Sequence, residues 1–123
     1  MMEQIWAVRG GITIPKDTPD EVTAATKELL VELMEVNRIE PEKIISIIFT
    51  VTSDISSEFP AVAARGLGLN STPLMCALEI PKPGSLPLCI RILMHFYTTL
   101  SKSEIRPVYL RDAVKLRPDL ISE

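Results

Sequence analysis

The sequence holds one histidine, His95, and two cysteines, Cys76 and Cys89. A single histidine excludes a multi-histidine metal site. A Ser-His-Asp triad would have to recruit His95 from an apolar strand, in a chain with no G-x-S-x-G elbow. Two cysteines in strand-like segments make no disulfide framework and suit a reducing compartment, so a cytoplasmic protein is expected. The longest apolar runs, around 44–51 and 86–94, are interrupted and too short for a bilayer span. No basic stretch leads into an apolar one at the N-terminus, so no secretory leader is expected. The formal net charge is −3, which excludes the global basic field of a nucleic-acid binder. With 123 residues the chain is long enough for one core and too short for two, so residues 1–123 are expected to form one domain.

What is present is organised around LCIRILMHFY, residues 88–97. On a strand, Ile90, Ile92, Met94 and Phe96 form one wholly apolar face, which reads as core. Cys89, Arg91, Leu93, His95 and Tyr97 form a mixed face. A guanidinium cannot shed its proton and is rarely buried alone, so Arg91 either pairs with a carboxylate or receives an anionic ligand. Residues 4–14, QIWAVRGGITI, repeat the arrangement: Trp6, Val8, Ile12 and Ile14 share one face with Gln4 and Gly10, and Arg9 lies on the other with Gly11. Gly10-Gly11 marks a bulge or a close backbone approach. For either arginine alone, a surface pair with a local acid is an equal alternative.

Between these strands, Asp17-Thr18-Pro19-Asp20-Glu21 starts a helix, with Thr18 as cap, Pro19 in first position and Glu21 placed for a capping box. Val22, Ala25, Leu29, Leu33 and Val36 form its apolar stripe over 19–37, and Lys27, Glu28, Glu32 and Glu35 a solvated face. IISIIFTVT (44–52) reads as a strand buried on both faces. SDISSE (53–58) is a loop and FPAVAARGLGL (59–69) a short helix ended by Gly66 or Gly68. Arg65 near its end either offsets the dipole or reaches a ligand. TPLMCALEI (72–80) is a third strand candidate, on which strict alternation sets Cys76 and Glu79 on opposite faces. PKPGSLP (81–87) is a turn-rich loop, 101–107 holds a helical turn, and VYLRDAVKLRPDL (108–120) is short and amphipathic, stopped by Pro118.

In order and spacing, Arg9-Gly10, the D-T-P-D-E helix start, Phe59-Pro60-Ala61 followed by Arg65, Pro73 with Cys76 and Glu79, Cys89-Ile90-Arg91, Val108-Tyr109-Leu110 and Leu116-Arg117-Pro118-Asp119-Leu120 resemble the monofunctional chorismate mutases of the Bacillus type. The resemblance spans nearly the whole chain. It implies an α+β fold, a mixed β-sheet packed with helices, assembled as a homotrimer resembling an α/β barrel with active sites at the subunit interfaces. It implies the Claisen rearrangement of chorismate to prephenate on the branch to phenylalanine and tyrosine, without metal or cofactor, nucleic acid or membrane. Such chemistry needs a flexible dianion held in its reactive conformer and charge stabilised as a C–O bond breaks. By the same resemblance Arg91 is the central cation at the ether oxygen, Arg9 and Tyr109 bind carboxylate, and Glu79 accepts from the ring hydroxyl beside Cys76. Phe59, Ala61, Met75, Arg65, Leu116 and Arg117 line or cover the pocket. Two positions depart from the pattern: Val62 stands where the family has a lysine, and Met75 where it has a threonine.

Plainer readings stand beside these. Arg91 and Glu79 form a structural ion pair, Cys76 is a small buried hydrophobe, Tyr109 a core residue with a satisfied hydroxyl, and His95 a packing or interface residue. Lys115, Arg117 and Arg111 form a solvated face. Two other functions compete: a trimeric deaminase or hydrolase of the RidA type, which also sets an arginine at subunit interfaces, and a silent module that captures an acidic metabolite.

Overall fold

The computed structural model describes residues 2–116. Its centre is strand β4 (Cys89–Thr98), flanked antiparallel by β1 (Gln4–Thr13) and by β2 (Ile44–Val51). Strand β3 (Leu74–Leu78) runs parallel to β2 on one edge, and the two-residue β5 (Val108–Tyr109) parallel to β1 on the other. The order is β3-β2-β4-β1-β5, a mixed sheet as expected. Ile90, Ile92, Met94 and Phe96 are all buried beneath helix α1 (Pro19–Val36), whose Val22, Ala25, Leu29 and Leu33 are fully buried in the same core. Helix α2 (Ala61–Gly66) adds Ala61, Ala63 and Ala64.

Several local expectations hold in part. Thr18 caps α1 by accepting from Glu21 N at 3.2 Å, but the box does not close: Thr18 N donates to Lys16 O instead. Val36 is exposed, because the helix stops there and the next residue, Asn37, turns its side chain inward in its place. β2 is not buried on both faces. Ile44, Ile47 and Phe49 point to the core, while Ile48 and Thr50 are only half-buried on the far side, and the register slips between Ile44 and Ser46. β1 carries no bulge, since its register with β4 is continuous from Gln4 to Thr13. Gly10-Gly11 is a close approach. α2 is shorter than expected, with Gly68 at φ +89° making the reversal. Residues 108–116 are not one amphipathic helix: β5 pairs with β1, and a 3-10 helix follows over Arg111–Leu116. Arg111 is no free surface cation, for it donates to Thr13 O and Glu28 Oε1 at 2.9 Å each. Pro118 lies outside the described residues.

Candidate active site

Only one face of the sheet is covered by α1. On the other, strand pairing lines up one rung of side chains: Thr50 of β2, Arg91 of β4, Gly11 of β1 and Tyr109 of β5. Gly11 has no side chain, so Arg91 and Tyr109 confront each other across its bare backbone. A Cβ there would stand 3.2 Å from Tyr109 Cδ1 and 3.4 Å from Ala113 Cβ. On the neighbouring rung Ile48, Leu93 and Arg9 are aligned. These two rungs border a cleft of about 270 Å³ lined by Arg9, Arg91, Tyr109, Thr50, Ile48 and Leu93.

Glu79 completes it. β3 ends at Leu78, and the next residue is held to β2 by its own N–H, which donates to Val51 O at 2.9 Å. Its carboxylate receives Arg91 Nε on Oε2 at 2.8 Å and Arg91 Nη2 on Oε1 at 2.9 Å, a two-point fork. The Thr50 hydroxyl donates to the same Oε2 at 2.5 Å. The hydrogen bond to Glu79 raises the Arg91 pKa above its ordinary value, against the opposing effect of burial. Two of the five guanidinium N–H groups are engaged, and the other three have no partner among the described residues. Arg9 has no carboxylate partner among the described residues. The cleft therefore has a surplus of positive charge and open donors, which fits an anion. Cys89, buried beside it, is no thiolate: burial first, then Glu79, push its thiol up to about 11.

The remaining candidates lie elsewhere. Cys76 pairs with Phe49, so its side chain takes the face opposite to Glu79, as alternation requires. With Phe59, Ser57, Pro60 and Leu78 it lines a second cleft of about 290 Å³ across the edge strand. Asp17 shapes that rim: it accepts from Ser56 N at 2.9 Å, Ser57 N at 3.1 Å and the Ser57 hydroxyl at 2.6 Å, and these bonds lower its pKa. Ala61 is buried, Val62 half-buried and Arg65 exposed on α2. Met75 is exposed on the Ile48 side of β3, and Leu116 is half-buried at the end of the 3-10 helix. Arg117 lies outside the described residues. One chain thus assembles Arg9, Arg91, Glu79 and Tyr109, and does not bring Phe59, Cys76 or Ala61 to them. Two contributors escape a sequence reading: Thr50 sits in an unremarkable β-branched run, and Asn37 looks like a helix-end residue, whereas the Gly10-Gly11 pair does signal the close approach at Gly11. The fully buried Asn37 donates to Leu33 O and Arg106 O and accepts from Arg106 N, which anchors the segment entering β5.

A mixed sheet with helices on one face, and on the other an arginine-rich cleft without histidine, defines a small α+β protein built to hold an organic anion. The model of the type I chorismate mutases matches residues 5–120, and the chain belongs to that family. Chorismate mutase AroH of Thermus thermophilus is 49% identical to it over 116 residues, covering 94% of this chain and 95% of that one. Chorismate mutase AroH of Bacillus subtilis (strain 168) is 38% identical over 117 residues, covering 94% and 92%. A solved structure of a chorismate mutase from Clostridium thermocellum superposes with a TM-score of 0.87 at 52% identity, covering 88% of this chain and 96% of that one.

Proposed function

We propose that the Arg9–Arg91–Glu79–Tyr109 cleft performs the rearrangement of chorismate by restraint and charge stabilisation alone. Family and relatives make the chain an isomerase, a chorismate mutase acting in aromatic amino acid biosynthesis. In the reaction the enolpyruvyl methylene carbon bonds to the ring carbon that bears a carboxylate while the ether C–O bond breaks, and the electrons move around one six-membered ring. No proton, nucleophile or redox partner is needed. Arg91 offers its free N–H groups to the ether oxygen, where negative charge grows, and to a carboxylate. It does so without breaking its fork to Glu79. Arg9 and Tyr109 hold carboxylate, and Glu79 accepts from the ring hydroxyl. The observation that carries this reading is the Arg91 guanidinium, fixed at two points and open at three.

The charge count points beyond one chain. Arg9, Arg91 and Glu79 sum to one positive charge, and the substrate is a dianion. Arg65 and Arg117 are the cations to make up the difference, with Phe59, Ala61, Met75, Cys76 and Leu116 lining or covering the pocket. Cys76 and Phe59 face a separate cleft, so they serve a neighbouring subunit's site. The assembly is a cytoplasmic homotrimer in which one chain's second cleft closes the next chain's first. Large apolar side chains left exposed support this: Phe59 and Leu78, which line the second cleft, with Met75 and Ile80 on and just past the same edge strand.

The test is purified protein with chorismate, without added metal or cofactor, following chorismate loss and prephenate formation beside Arg91→Ala. Fast conversion by the parent is expected, with the variant slower by roughly a hundredfold to a thousandfold, about 3–4 kcal/mol. No conversion with retained chorismate binding would make this a binding module. Near-parental turnover by Arg91→Ala would remove Arg91 from its place.

A further inference from the structure

Oε2 of Glu79 is fully used by partners within the chain. A carboxylate oxygen offers two in-plane lone pairs; on Oε2 one takes the Thr50 hydroxyl at 2.5 Å and the other Arg91 Nε at 2.8 Å. Oε1 takes only Arg91 Nη2, at 2.9 Å, and keeps one lone pair free. The backbone at Glu79 is lightly held. It lies one residue past the end of β3, its backbone is tied by one bond to Val51, and a Pro/Gly-rich loop follows. Thr50, in contrast, sits inside β2 with Arg91 and Ala77 as its register partners, and its β-branched side chain has few rotamers.

We propose that Thr50 is a positioning residue of this site: it saturates Oε2 of Glu79 and so assigns the substrate's ring hydroxyl to Oε1. This rests on the reading of the cleft as a chorismate site. By holding the carboxylate it also holds the fork that aims Arg91. The gain of correct aim is realised only as charge develops on the ether oxygen, so its loss falls on kcat and not on KM.

The experiment compares Thr50→Val, which keeps the shape and removes the hydroxyl, with Thr50→Ser, which keeps the hydroxyl. Thr50→Val should lower kcat by about tenfold, the scale of one hydrogen bond to a charged group, with KM within about twofold. Thr50→Ser should return kcat to within about twofold of the parent. In a Glu79→Ala background Thr50→Val should cost nothing further, because a residue that acts through Glu79 has nothing left to position. A second readout needs no turnover: the Arg91 Nε–H of the ligand-free protein, followed by NMR, should exchange with solvent faster in Thr50→Val and normally in Thr50→Ser. An equal cost of Thr50→Val with and without Glu79, or unchanged exchange and kcat, would overturn the proposal. A parent inert toward chorismate but with the expected exchange pattern would sink the chorismate reading and leave the tether standing.

Discussion

Arg91 and Glu79 form a fork in which the Glu79 side chain is far less exposed than that of Arg91, 13% against 47%. A pair so open on one side contributes at most about 1 kcal/mol to stability. Its value lies in direction: the fork fixes the plane of the guanidinium before any ligand arrives. Neither Arg91, raised further by Glu79, nor Cys89, pushed up to about 11, changes charge in the neutral range. The kcat of the parent should therefore vary by less than about twofold between about pH 6 and 9. A stopped-flow profile under single-turnover conditions measures this, and a single-proton step inside that range would reinstate a general base.

Among the elements, β5 is the one held from outside itself. Two residues make no strand by propensity. Val108-Tyr109 is a strand because Asn37 anchors Arg106 on one side and Leu110 N donates to Gly11 O on the other, at 2.9 Å. Asn37→Ala should cost about 1–3 kcal/mol, since it removes the hydrogen bonds of a fully buried amide and leaves the Arg106 backbone N–H and C=O without their partner. A thermal melt should show it as a lower midpoint, and Tyr109 should become more accessible. The same contrast explains what the sequence displayed. β1, β4 and α1 carry long periodic patterns, and Arg91 and Arg9 stand out because a cation breaks an apolar one. β5 was hidden, because its strand character comes from residues about 70 and 100 positions away in the chain. Likewise the bulk of β2 says that its side chains are apolar or β-branched, but not that one face is left to line a cleft. Arg111 reads as surface charge, and only the fold brings Thr13 and Glu28 within its reach.

For the whole molecule, the separation of the two clefts makes a prediction about subunits. If each site joins the Arg91 cleft of one chain to the Cys76 cleft of the next, two inactive proteins can repair one another. Arg91→Ala and Cys76→Trp, whose bulk fills the second cleft, should each be trimeric and nearly inactive alone. Co-refolded in equal amounts they should recover about a quarter of the parental activity, the random chance that an intact first cleft meets an intact second. Activity and mass measured on the same fractions decide it, and no recovery among mixed trimers would place each site within one chain.

At Gly10 and Gly11 the sheet is reduced to its backbone. A Cβ on Gly10 would meet Val108 O at 2.9 Å and the Cδ1 atoms of Leu29 and Leu33 at 3.1 Å; one on Gly11 would meet the Tyr109 ring. Successive residues thus press on opposite sides of one thin ribbon, the core on one and the cleft on the other. Here core and cleft share a wall, so a substitution in the hydrophobic interior under β1 is felt at once in the Arg91 cleft.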